Sequence, residues 1–106
     1  MISIEEIQDI NRQFGDGNII NNSIFYALGQ KPVIDKICYL LRALVIDHTF
    51  NDGNKRTAYM VVRLLFKRNK IDIYKDTLLK VVIRVARENI TDIKAIGKLV
   101  ERCIKR

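Results

Sequence analysis

The chain has 106 residues, 48% of them apolar, with a net charge of +7 and a pI near 9.7. That length supports one domain around one core, and that apolar share excludes an intrinsically disordered chain. No apolar stretch is long enough to span a bilayer, and Met1 to Glu6 lacks the basic leader and apolar run of a secretory signal, so the expected compartment is the cytoplasm.

The basic excess suits a nucleic acid, a nucleotide or an acidic protein partner, and equally a plain lysine-rich surface. Cys38 and Cys103 lie far apart, each within a helical pattern. They read as buried or half-buried thiols, not as a disulfide or a zinc set.

Ser3 and Glu6 have capping-box spacing and open a first helix whose stripe is Ile4, Ile7, Ile10 and Phe14. Gly15 to Asn18 ends it with turn residues. Ile19 to Tyr26 reads either as a small hairpin turning at Asn21-Asn22 or as an extended run entering a short helix through Leu28. Pro32 fits the first turn of the next helix. Val33, Ile34, Ile37, Cys38, Leu40, Leu41, Leu44 and Val45 give that helix an apolar face wide enough for a central position.

It should end near Asp47 and His48, and a further helix should run from about Gly53 to Lys67 and pack its face of Ala58, Val61, Val62 and Leu65 on the Pro32 helix. Asn69 to Tyr74 is a connector. Asp76 or Thr77 is expected to cap a helix carrying Leu78, Leu79, Val82, Ile83 and Val85, and Thr91 to cap a last helix carrying Ile93, Ile96, Leu99, Val100, Cys103 and Ile104. The expected fold class is therefore all-α, a single-domain helical bundle with room for one small β-hairpin.

The stretch from His48 to Thr57 breaks a helix rule. The first turn of a helix collects Asp or Glu, because its unpaired N–H groups and the macrodipole leave positive charge there. The turn after Gly53 carries Lys55 and Arg56 instead. Two cations beside a positive helix end repel unless an anion is expected, and phosphate is the common anion at such a place, with glycine allowing close backbone approach. His48 and Asp52 flank the turn, which sets a base and a metal-binding carboxylate beside the phosphate seat. Taken singly, each has a plainer role: His48 closes a helix, Asp52 caps one, Arg56 is a surface cation, and Phe50 anchors the loop by burial.

His48-x-Phe50-x-Asp52-Gly53-Asn54-Lys55-Arg56 resembles the signature loop of the Fic/Doc (Fido) family, and most closely its Doc-like (death-on-curing) branch. Residues Ser23 to Pro32 are similar to the segment that precedes the central helix in Doc-like toxins, where a flap lies. The resemblance implies a Fic/Doc-like helical bundle spanning residues 1–106 as one Fido domain. It implies ATP as co-substrate and Mg²⁺ as cofactor. It also assigns roles. His48 takes the proton from a Ser, Thr or Tyr hydroxyl of a target protein. Asp52 holds the Mg²⁺ that bridges nucleotide phosphates. Gly53, Asn54 and Lys55 present backbone N–H groups to phosphate, and Arg56 clamps phosphate oxygens in the transition state.

Two positions depart from the AMP-transferring pattern of the family. A lysine, Lys55, stands where those proteins carry a second glycine, and Tyr59 stands where they carry a second arginine. Both match the Doc-like pattern, in which the γ-phosphate sits at the reacting position and the product is a phosphorylated protein hydroxyl. Glu88-Asn89 is similar to part of the family's inhibitory motif, but Arg84 occupies the place of its Ser or Thr, so the pair reads as an ordinary helix end.

The first reading is a Doc-like protein kinase acting as a toxin. Its implied partners are an antitoxin and a target protein such as a translation elongation factor. The second reading is protein AMP transfer (AMPylation). The third is a basic nucleotide- or nucleic-acid-binding module. The third is disfavoured by scattered aromatics and the lack of helix-turn-helix spacing.

Overall fold

The computed structural model describes residues 1–106 and contains six α-helices and no sheet. Helix α1 (Ile4–Asn11) starts with the expected capping box: Ser3 Oγ accepts the Glu6 N–H, and Glu6 Oε1 accepts the Ser3 N–H at 3.0 Å. Helix α2 (Ser23–Leu28) follows an extended residue, Ile19, that makes one antiparallel bridge to Phe50. The hairpin reading of residues 19–26 is therefore corrected. Ile19 finds its strand partner in the motif loop, and the Asn21 side chain bonds that loop too, so no second local strand forms.

Helix α3 (Val33–Leu41) begins directly after Pro32 and continues into a π-helical turn, Arg42–Ile46. Helix α3 packs against α2, against α4 (Asn54–Arg68) and against α6 (Ile93–Glu101), while the π turn touches α2, α4 and α5 (Lys75–Glu88). Leu40, Leu41 and Leu44 are completely buried at that centre. Truncating any of them to Ala should cost about 2–5 kcal/mol through lost burial and the cavity left behind. Helix α4 lines its inner face with Ala58, Val61, Val62 and Leu65, as the periodicity indicated.

Two helix starts differ from the sequence expectation. Tyr74, not Asp76 or Thr77, precedes α5: its N–H donates to Cys103 O at 2.7 Å and its C=O accepts the Leu78 N–H, so a chain crossing sets the start. Asp92, not Thr91, caps α6, its carboxylate accepting the Ala95 N–H at 3.0 Å. Cys38 and Cys103 are free and buried, and burial pushes both thiols up to about 11.

Candidate active site

The motif loop begins where the π turn ends, and the Asp47 N–H closes that turn on Arg42 O at 3.0 Å. A π turn inserts one extra residue into a helix, which re-aims the chain that follows it. His48 then takes a left-handed φ of 53°. For a residue with a Cβ this costs roughly 1–2 kcal/mol and persists only where neighbours hold it. The neighbours here are polar. Asn21 Nδ2 donates to Asp47 O at 2.8 Å and to His48 O at 3.2 Å, and Thr49 Oγ1 donates to Ala43 O at 2.9 Å. The imidazole stays exposed at the rim of a cleft.

Phe50 lies completely buried beneath the loop. Asn54, the first residue of α4, closes the turn around it. Its Oδ1 accepts the Phe50 N–H at 3.0 Å and its Nδ2 donates to Phe50 O at 2.8 Å. The same Nδ2 lies 3.5 Å from His48 Nδ1, the outer limit of a hydrogen bond. One amide side chain thus fixes Phe50 and borders the His48 ring.

Gly53 stands before α4 with φ 72°, and a Cβ there would lie 2.5 Å from Phe14 Cβ. Only glycine meets both the left-handed backbone and the close approach. Asp52 does not cap α4, since Gly53 holds that position. The Asp52 carboxylate is exposed, and its Oδ1 accepts the Gly53 N–H at 2.8 Å. The backbone N–H groups of Asn54, Lys55 and Arg56 make no hydrogen bond within the chain; Thr57 is the first of the helix to find a carbonyl, Gly53 O at 2.9 Å.

Loop and helix entry are tied to the end of α1 by the buried Asn11. Its Nδ2 donates to Asp52 O at 2.8 Å and to Thr57 Oγ1 at 3.1 Å, and its Oδ1 accepts the Gly17 N–H at 2.9 Å. Asp16 reinforces the tie, accepting from the Asn18 N–H and from Asn51 Nδ2; these bonds, the backbone one foremost, hold its carboxyl below the usual carboxylate range.

His48, Asp52, Gly53, Asn54, Lys55 and Arg56 all line one open cleft of about 700 Å³, a size that suits a nucleotide. Phe14, Val45 and Ile46 form its apolar wall, and Ala86 and Asn89 of the α5 end close another side. The Arg56 guanidinium lies 5.8 Å from the centre of the Phe14 ring. Tyr59 does not line the cleft; it is half-buried, with the Arg63 guanidinium over its ring at 5.3 Å.

No group of three or more His, Cys, Asp or Glu side chains could cage a metal by itself. A single exposed carboxylate with one oxygen already bonded to backbone fits Mg²⁺, which keeps waters and takes other ligands from phosphate. Glu88 ends α5 paired with Arg84 at 3.0 Å, and Asn89 follows as a left-handed cap. The sequence placed Phe14 in the first helix's stripe, Asn21 at a possible turn and Asn89 at a helix end, and nothing in it assigned these residues or Asn11 to the site. Asparagine enrichment near glycine turns was the only local signal, and the bonds that matter join residues far apart in the chain.

Residues 19–66 match the family model described as the Fic/DOC family. The stretch from Ile19 through the last turns of α4 is therefore similar to the Fic/DOC family, which supports a Fic-type transferase in general terms. No curated protein gives a significant match to the chain.

Proposed function

We propose that this protein is a Doc-like protein kinase that moves the γ-phosphate of ATP to a hydroxyl of a target protein. One observation carries the reading: a histidine, a carboxylate, three unbonded backbone N–H groups and an arginine converge on a single cleft at a helix N-terminus. Such an end receives phosphate oxygens by dipole and by N–H donation together.

In the proposed reaction the target hydroxyl approaches His48, which takes its proton as the oxygen attacks the γ-phosphorus. The new P–O bond forms as the bond to the β-phosphate oxygen breaks, and ADP leaves. Asn54, Lys55 and Arg56 offer N–H groups to the phosphate, and the Arg56 guanidinium offsets the charge on its oxygens. Asp52 would hold Mg²⁺, which supplies neutralisation of the bridging phosphate charge. Transfer from the γ position, in place of the α position, is supported by Lys55 lining the cleft and by Tyr59 lying outside it. The first crowds the path of a triphosphate tail and the second leaves that tail without an anchoring guanidinium.

On the same reading the protein is a toxin. The net charge of +7 suits an acidic antitoxin, and a translation elongation factor is the proposed target class. Mass spectrometry of lysate proteins treated with the enzyme, ATP and Mg²⁺ tests the chemistry. Phosphate on a Ser, Thr or Tyr of a single protein is expected. An AMP adduct at such a hydroxyl would establish the AMP-transferring reading instead.

A further inference from the structure

A second cleft, of about 550 Å³, lies at the opposite end of α4 from the motif. Arg56 and Lys67 are eleven residues apart in one helix, which separates the two places by roughly 16 Å at the α-helical rise. The floor of this cleft is apolar, from Leu64, Phe66, Ile71 and Ile73. Its rim carries Arg63, Lys67, Lys70, Lys75 and Lys105 against a single acid, Asp72. None of these five cations forms an ion pair within the chain, whereas Arg12, Arg68, Arg84 and Arg106 all do.

Charge alone would describe a solvated face. The backbone adds an independent observation. Ile73 and Ile104 form an isolated antiparallel bridge, with the Tyr74 N–H donating to Cys103 O at 2.7 Å and the Lys105 N–H to Asp72 O at 2.9 Å. In that bridge geometry the N–H and C=O of Ile73 itself point away from the Cys103–Lys105 segment. Neither has a partner in the chain, and Ile73 is half-exposed. An extended segment thus presents an open edge beside an apolar floor and a basic rim.

We propose that this cleft docks an acidic, extended segment of a partner protein. The segment adds a strand to the Ile73 edge, sets an apolar side chain on the part-exposed Leu64 and Ile71 and directs its carboxylates to the basic rim. Main-chain pairing gives the affinity of strand addition, and alternation places apolar and acidic side chains on opposite faces of the added strand. The site stands apart from the phosphate seat and does not depend on which group the enzyme transfers.

The test uses a fluorescein-labelled peptide of about ten alternating Glu and Val residues, a length typical of a long strand. The comparison ligands are the Lys–Val counterpart, a Glu–Val peptide N-methylated at alternate amides, and a single-stranded oligothymidylate. The Glu–Val peptide should bind, and its binding should weaken with salt. Binding should protect the Ile73 amide from hydrogen exchange. Lys75→Glu combined with Lys105→Glu should weaken it by about tenfold or more, as should N-methylation. Lys75 begins α5, where an acid is favoured, so the double variant should fold. His48→Ala should bind the peptide as the native chain does. The proposal is overturned if the methylated peptide binds equally well, if charge reversal has no effect, if the oligothymidylate binds more tightly, or if no Glu–Val binding is seen at millimolar peptide.

Discussion

The two ends of α4 are both basic, yet their cations mean different things. At the C-terminal end Lys67 and Arg68 sit where the macrodipole is negative, and they stabilise the helix without any ligand. At the N-terminal end Lys55 and Arg56 oppose the dipole, and the helix has no acidic residue in that turn to relieve them. The surroundings differ in the same sense. The N-terminal end is built from a left-handed glycine, a buried Asn54 clamp and an Asn11 tie to α1, with three N–H groups left open. At the C-terminal end the Asn69, Lys70 and Ile71 N–H groups donate to the last carbonyls, and the exposed Asn69 side chain donates to Leu65 O as well. The sign of a charge is thus less informative than its position on the helix, and a cation that costs stability marks a site more clearly than one that adds to it.

The largest expected effect separates the two ends by chemistry. His48→Ala should lower transfer by about 10²–10⁴-fold, the usual share of a general base, with an unchanged circular-dichroism spectrum. A variant retaining more than half the native rate would remove His48 from the reaction. Next, Arg56→Ala should lower kcat by about 10²–10³-fold, while Lys67→Ala, which lies away from the transferring group, should change kcat by less than about twofold. Equal small losses at both positions would make Arg56 an ordinary surface residue.

A third contrast concerns stability. Asn54→Ala leaves the buried Phe50 N–H and C=O without partners and should cost about 2–3 kcal/mol in urea unfolding. Asn69→Ala at the other end removes only a water-accessible bond to Leu65 O and should cost less than about 1 kcal/mol.

The smallest effect lies at the Glu6–Arg68 pair, which fastens the C-terminal end of α4 to α1. The side-chain hydrogen bond from Arg68, then the Ser3 N–H, hold the Glu6 carboxyl down at about 2. Its contribution is therefore complete above the ordinary glutamate range and is lost as pH falls through about 2. The melting-temperature difference between native chain and Glu6→Gln should be constant above about pH 5 and vanish near pH 2. A difference that persisted at pH 2 would show that the carboxylate charge is not its source.

Much of the fold was legible because its signals are local. The Ser3–Glu6 box, the apolar run of α3 and the face of α4 are each written within one or two helical turns. The helix starts at Tyr74 and Asp92 were missed where a chain crossing or a neighbouring carboxylate displaced a nearby capping residue. The π turn at Arg42–Ile46 has no composition that distinguishes it from α-helix, since Leu44 and Val45 satisfy either period. The hairpin alternative failed for a related reason: the partner of Ile19 is Phe50, outside any local window.

The site divides the same way. The side chains proposed to react fall within nine consecutive residues, His48 to Arg56, and were legible together. Its supports, Asn11 and Asn21, act across 41 and 26 residues of sequence, so no spacing rule could find them.

The most direct test of the central claim supplies ATP labelled on either the α- or the γ-phosphate, with Mg²⁺ and a cell lysate, to native protein and to His48→Ala. Label on a target protein from γ alone, lost in the variant, is the expected result. Label from α would contradict it, and would mean that Lys55 and Tyr59 do not set the direction of the nucleotide.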